Sequence, residues 1–426
     1  MATRPRSRSR SRSRSAVRRL ATARLISITG GAAAFVALNF TVYTQTGSFA
    51  WLTAALVLTF GTQGIVGPFA GAIGDRFDRR RVMIVSDLLG AVFFLGMSAV
   101  TDRPALLLGF AFFAAIVELP FESSSAAAIP NLAGEQDLAK ANSLVAIGRY
   151  SGIAVGPLIG GVLVDQVGPT WVFLINGISF VVSAVIVWTI HAHFSRERSK
   201  DDLHDHGLAA LRAGISFLRR EPVLWRITLA WSVLVLGLGM SMIADIPLAE
   251  EFGLGGNGYG YIIGAWGAGS VVGSILGRFM TVRTEPVVIV LSTLGIAITS
   301  AAIGLSPVFW VALVALFLNG TNDAIGLVAE QSLRQRRTPD ALRARVLAAS
   351  ESIWQLAMLV SFLLAGSIIR VFGARAVYVL GGVFGLLAAL VLLPVLHVRR
   401  EGGGSEERSS DPVPQAEQAL NDVPIT

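Results

Sequence analysis

Cysteine is missing from all 426 positions, and with it go disulfide frameworks, thiolate metal sites and cysteine nucleophiles. Histidine is nearly missing. The five copies, His191, His193, His204, His206 and His397, fall at the ends of apolar runs or between them, so no imidazole centre is available inside such a run. No Walker-type phosphate loop occurs, which argues against ATP as a drive supplied by this chain. Neither a cofactor nor a metal is expected. Charge is scarce, at 15% of residues against about 25% in soluble domains. Lysine is reduced to Lys140 and Lys200 among 35 basic residues. With abundant Ala and Gly, the composition fits a GC-rich bacterial genome.

What is present is apolar. Hydrophobic residues make up 53% of the chain and the mean hydropathy is +0.64, values that point to lipid as the solvent. A bilayer core of roughly 30 Å takes about 20 apolar residues per helix. Runs of that length lie at 24–45, 49–73, 82–101, 104–128, 142–165, 169–192, 223–248, 257–280, 285–305, 308–330, 344–370 and 375–397. The expectation is an all-α membrane protein with 12 transmembrane helices. Arginines cluster before the first span (Arg4 to Arg19) and after the second (Arg76 to Arg81), sixth (Arg196 to Arg220) and tenth (Arg334 to Arg345). The loops after spans one, five, seven and nine carry essentially none. Under the positive-inside rule both termini then face the cytoplasm, at a bacterial inner membrane. The net charge of +7 serves topology, and no nucleic-acid partner is expected.

The two halves resemble each other. Leu138-Ala139-Lys140-Ala141 opens the fifth span, which runs to Val167-Gly168; Leu342-Arg343-Ala344-Arg345 opens the eleventh, which runs to Phe372-Gly373. Gly67 to Gly90 likewise parallels Gly269 to Gly295. Parallel repeats of this kind place a binding site between the halves. The expected layout is a disordered basic tail (1–21), a six-helix bundle (22–193), a linker (194–222), a second six-helix bundle (223–398) and a disordered tail (399–426). In the linker, Leu208, Leu211, Ile215 and Leu218 share one helical face, which suggests an amphipathic helix lying on the membrane surface.

Charges inside a membrane are costly and point to function. Glu118 and Glu122 lie one turn apart in the fourth span, and Asp323 lies in the tenth near Asn319 and Asn322. Arg149, with Tyr150 beside it, has the depth to pair with Glu122; Asn39 adds a polar group to the first span. A carboxylate away from water carries a proton unless a cation holds it ionised. Glu118 or Asp323 is therefore the expected proton carrier, and Glu122 with Arg149 the expected ion pair; a purely structural role has equal weight for each. Asp87, Asp245, Glu330 and Glu351 lie nearer span ends and are expected to meet water or loops.

Two motifs carry a resemblance. Gly71-Ala72-Ile73-Gly74-Asp75-Arg76-Phe77-Asp78-Arg79-Arg80-Arg81 resembles the loop between helices two and three of the major facilitator superfamily (MFS), matching at Gly71, Asp75, Arg76, Arg79 and Arg80. Asp78 stands where that family usually has glycine. In the fifth span, Gly152, Gly156, Pro157, Gly160 and Gly161 look like the glycine-proline motif of the family's antiporters, with small residues on one face and a proline bend. The resemblance covers about 20–398. Ile129-Pro130-Asn131-Leu132 and the Arg343-Ala344-Arg345 start favour the branch holding the enterobactin exporter and macrolide efflux proteins. It implies a monomeric, proton-coupled exporter of a small amphipathic or hydrophobic molecule, such as a drug, without cofactor, whose first motif latches the halves at the cytoplasmic side. A siderophore exporter and a metabolite importer share the fold. A membrane enzyme or sensor is the reading from another class, and the sequence offers neither a catalytic centre nor a signalling domain.

Overall fold

The computed structural model describes residues 6–62, 66, 77–133, 138–192, 194, 208–277, 279–339 and 342–399. In lipid each backbone N–H and C=O must find its partner within the segment, so apolar runs become helices. In chain order these are α1 (Arg6–Thr46) and α2 (Phe49–Leu56), the latter continued by a π-helical turn over Val57–Gly61; then α3 (Arg79–Ala99), α4 (Pro104–Ala133), α5 (Leu138–Val167) and α6 (Pro169–Trp188). After α7 (Leu208–Arg220) come α8 (Pro222–Glu251), α9 (Gly256–Gly277), α10 (Glu285–Gly304), α11 (Phe309–Arg337), α12 (Arg343–Phe372) and α13 (Ala374–Leu392). Ten helices among the described residues are long and apolar enough to cross a membrane. Two shorter apolar stretches, Phe49–Gly61 and Ser151–Val167, fall within the second and fifth expected spans.

The internal repeat is visible in the packing. In the first half α1 packs on α5 and α6, and α3 on α4 and α6; in the second, α8 packs on α12 and α13, and α10 on α11 and α13. The repeated helix ends match too. α5 and α12 each stop at a glycine of positive φ, Gly168 (85°) and Gly373 (81°), and the next helix follows at once. The interior holds the polar groups Asn39, Asp87, Asn176 and Asn319, while Val92, Leu291, Leu305 and Trp310 face outward. Such a surface is stable in lipid.

Two expectations about the flanking segments are corrected. The serine-arginine run is helical in backbone from Arg6 and continuous with the first span, because extending an established helix costs far less than nucleating one. The tail from 400 onward lies outside the described residues. The apolar face of α7 is covered by protein rather than laid on the membrane. Leu218 is fully buried with Leu224, Val346 and Ala349, and Gly214 sits so near α12 that an added Cβ would lie 2.2 Å from the Arg345 carbonyl oxygen. Arg212, Arg219 and Arg220 stay exposed.

The halves meet at the end remote from the termini. There α5 crosses α9 backbone to backbone: a Cβ at Gly161 would lie 2.5 Å from the Gly256 oxygen, and one at Gly260 2.7 Å from the Pro157 oxygen. Asp165, on α5, accepts hydrogen bonds from the backbone N–H groups of Gly256 (2.9 Å) and Asn257 (2.8 Å), at the N-terminus of α9. A carboxylate at a helix start satisfies orphan donors and opposes the helix dipole. Phe60 meets Phe362, and the Thr53 hydroxyl donates to the Phe362 carbonyl (3.3 Å), joining α2 to α12 at the same end. Replacing this cap removes about 1 kcal/mol from the closed end, a roughly fivefold shift in the opening equilibrium. In Asp165→Ala, labelling of an engineered Ser300→Cys thiol by an impermeant maleimide from that side is expected to rise by this factor. Unchanged labelling would exclude the clasp.

Candidate functional site

Two adjoining cavities lie in the interior. The larger, about 470 Å³, opens between the halves and is walled mainly by apolar side chains, among them Phe35, Phe60, Leu234, Met242, Trp266 and Met358. Its polar groups are few: Asp245, Tyr378, Asn319, Ser241 and Ser300. Asp245 is buried and accepts a hydrogen bond from the Tyr378 hydroxyl. Pro247, inside α8, removes a helical hydrogen bond one half-turn further on. Asn319 donates its amide to Thr299 Oγ1 (2.9 Å) and Ser300 Oγ (3.1 Å) on α10. Large apolar walls with a small number of fixed polar groups are the usual form of a small-molecule site.

The smaller cavity, about 230 Å³, belongs to the first half and touches the larger one at Ala32 and Ile153. Asp87, Glu118 and Glu122 all line it. Below it Arg24, itself 4% exposed, pairs with Glu122 and donates to Ser125 Oγ (3.1 Å).

Of the sequence-predicted residues, Glu118 and Glu122 come together in the smaller cavity, and Asn319 lines the larger. Asp323 lines neither. Asn322 turns toward α10, where a Cβ on Gly295 would lie 2.4 Å from its Oδ1. Asn39 is buried and donates to the Phe35 carbonyl (2.8 Å). The expected Glu122–Arg149 pair is not formed. Arg149 is exposed, and Arg24, one helix nearer, takes its place; α1 packs against the polar face of α4, a contact that depth alone did not reveal. The side chain of Tyr150 lies outside the described residues.

Gly71, Asp75 and Arg76 also lie outside them. Arg79 donates to the carbonyls of Ala127 (2.8 Å) and Phe194 (3.4 Å), and Arg80 to that of Trp188. These arginines thus bind carbonyls of their own half, in α4, just past α6 and, for Arg80, at the C-terminal end of α6, where a cation is favoured. Asp78 replaces the family's glycine as the N-cap of α3, accepting from the Arg81 N–H at 3.0 Å. In the second motif, Gly152, Gly156 and Gly160 face α1, while Gly161 faces α9.

Three carboxylates assigned to water or loops are buried instead. Asp87 is 1% exposed, with the Ser183 hydroxyl of α6 beside it; Asp245 lines the central cavity; Glu330, 1% exposed, pairs with Arg334, whose guanidinium lies over Trp354. Glu351 is exposed as expected. The missed signal was register, since Asp87 and Gly90 share the face of α3 that meets α6. Arg24 is buried but the Glu122 side chain is 45% exposed, so losing Glu122 removes a charge-assisted hydrogen bond and destabilises by about 1–3 kcal/mol. Glu122→Ala should therefore lower thermal stability in detergent sharply, with partial recovery in the double variant with Arg24→Met. Arg149→Gln should change stability by no more than about 0.5 kcal/mol; the reverse ranking would restore the Arg149 pair.

A Major Facilitator Superfamily model matches residues 20–283 and 234–425. The enterobactin exporter EntS of Escherichia coli O1:K1 is 24% identical over 399 residues, 90% of this chain and 93% of that protein. Among solved structures, a POT family transporter in complex with a thioalcohol-conjugated peptide aligns with a TM-score of 0.72 at 12% identity, covering 90% of this chain and 96% of that one. A bacterial homologue of the iron transporter ferroportin, in an inward-facing state, aligns at 0.67 and 16% identity, covering 89% and 98%. The chain is a multi-pass integral membrane protein of the Major Facilitator Superfamily, a transport rather than a catalytic fold, that moves a small molecule across a membrane.

Proposed function

We propose that the chain is a proton-coupled exporter of a small amphipathic molecule in a bacterial inner membrane, built from twelve spans as two six-helix bundles with both termini cytoplasmic. The observation that carries this reading is the cavity of about 470 Å³ between the halves, bordered by α5 and α9 where they close the end remote from the termini. Apolar walls with Asp245, Tyr378 and Asn319 suit a cargo with an apolar body and scattered hydrogen-bonding groups. Rocking of the halves would expose the cavity to each side in turn.

The cargo class is better supported as a siderophore than as a drug. Curated relatives that align over nine-tenths of the chain include enterobactin exporters. An importer of sugars or carboxylates would want more cationic or hydrogen-bonding groups facing the centre than these walls provide.

Coupling would come from a carboxylate that trades its proton against cargo. Glu118 has the better position, lining the smaller cavity beside Asp87; Asp323 is the second candidate, on α11. Asp75 and Arg76, with Arg79 and Arg80, retain the proposed role of a latch at the cytoplasmic side. In proteoliposomes loaded with a catecholate siderophore, an imposed proton gradient should drive its movement in the wild type. Glu118→Gln should abolish that dependence, and Asp323→Asn should weaken it. Full coupling in both variants would overturn the proton assignment, and no gradient-driven movement of siderophore or drug would overturn proton-coupled export.

A further inference from the structure

The central cavity is polar on one side only. The first half gives it Ala32, Phe35, Phe60, Ile153 and Pro157, whose side chains form no hydrogen bonds. Every polar side chain in its wall, namely Ser241, Asp245, Trp266, Ser300, Asn319 and Tyr378, comes from the second half. A polar group placed against the apolar side would lose its water without gaining a partner. A cargo with one polar end therefore has one favourable orientation, with that end on the second half.

Hydrogen bonds within the wall restrict the chemistry of that end. The Tyr378 hydroxyl donates to Asp245 Oδ1, and the Ser241 hydroxyl donates to the Leu238 carbonyl at 2.8 Å. The Asn319 amide nitrogen donates to α10, where the Ile296 carbonyl takes one of its bonds at 3.3 Å. A carbonyl only accepts, so the nitrogen lies on that side and the amide oxygen on the other. Three donors are thus spent inside the protein. What they leave are Asp245 Oδ2 and Asn319 Oδ1, two acceptors on different helices, and neither is sealed off from accessible space. Trp266 and Ser300 keep one donor each.

We propose that the cargo's polar end is an uncharged group bearing hydroxyl protons, of the phenol or catechol class. It sits on the second half, where Asp245 and Asn319 accept from it, while the apolar body lies against Phe35 and Phe60 of the first. A hydroxyl both donates and accepts, so it also answers the Trp266 N–H and the Ser300 hydroxyl. An ether offers acceptors alone and leaves the two protein acceptors unpaired, which is the arrangement that separates analogues most strongly. A quaternary ammonium has charge but no proton to donate. This deepens the export reading by naming the chemistry and orientation of the cargo, and rests on that reading only for the cargo being carried.

Full-length protein in nanodiscs tests this with octylcatechol, its dimethyl ether and octyltrimethylammonium, binding to empty nanodiscs being subtracted. The wild type should bind the catechol on the order of tenfold more tightly than either other probe. Asp245→Asn and Asn319→Leu should each cut the catechol-to-ether ratio about threefold or more. Tyr378→Phe, which frees the other oxygen of Asp245, should raise it. Phe35→Leu, on the apolar side, should weaken catechol and ether by the same factor. Equal affinities for catechol and ether in the wild type, tighter binding of the ammonium, or an unaltered ratio in both Asp245→Asn and Asn319→Leu would overturn the assignment. A ratio that falls in Phe35→Leu would put the polar end on the first half and overturn it too. Binding is read here without transport, so a chain that shows the preference but moves nothing would refute export and leave the polar seat as assigned.

Discussion

The close crossing of α5 over α9 is the contact on which the rest of the structure depends. Lipid supplies no hydrophobic force between two apolar helices, so their association relies on packing and on polar contacts that lipid cannot replace. Gly161 and Gly260 let two backbones approach until a single Cβ would not fit between them. Asp165 then binds the start of α9. The same helix that makes this contact presses Gly152, Gly156 and Gly160 on α1. One run of small residues therefore holds the first half together and fastens it to the second.

Behind that closure the two cavities differ in chemistry. The central one offers apolar area with Asp245 locked to Tyr378; the lateral one offers carboxylates with too little positive charge around them. Arg24 fixes Glu122 and leaves Asp87 and Glu118 uncompensated. A carboxylate held away from water without a cation beside it favours its protonated form.

The all-α membrane fold was legible in the sequence because hydropathy acts through simple physics, and ten of the described helices are long and apolar enough to cross a membrane. The helix starts at Leu138 and Arg343 and the glycine stops at Gly168 and Gly373 were readable for the same reason, since only a few residue types serve at helix ends. The site was less legible. Depth along a span can be counted from its end, and that count put Glu118 and Glu122 inside the membrane. Which helix each group faces depends on rotation about the helix axis, and a uniformly apolar span carries little periodic signal for it. Hence Arg149 was paired with Glu122 when Arg24 holds it, and Asp87 and Asp245 were assigned to water. The face of α7 was read correctly as apolar, but what covers it is a tertiary contact with α12 that local pattern does not encode.

Alternating access about the α5–α9 crossing is the central claim, and the absence of native cysteine makes it directly measurable. Spin labels placed through Val167→Cys and Asn257→Cys report the closed end, and through Leu144→Cys and Leu276→Cys the opposite ends of the same two helices. Pulsed electron resonance across a proton gradient should show reciprocal changes, one distance lengthening as the other shortens. Two distances that stay fixed, or that change together, would contradict the account.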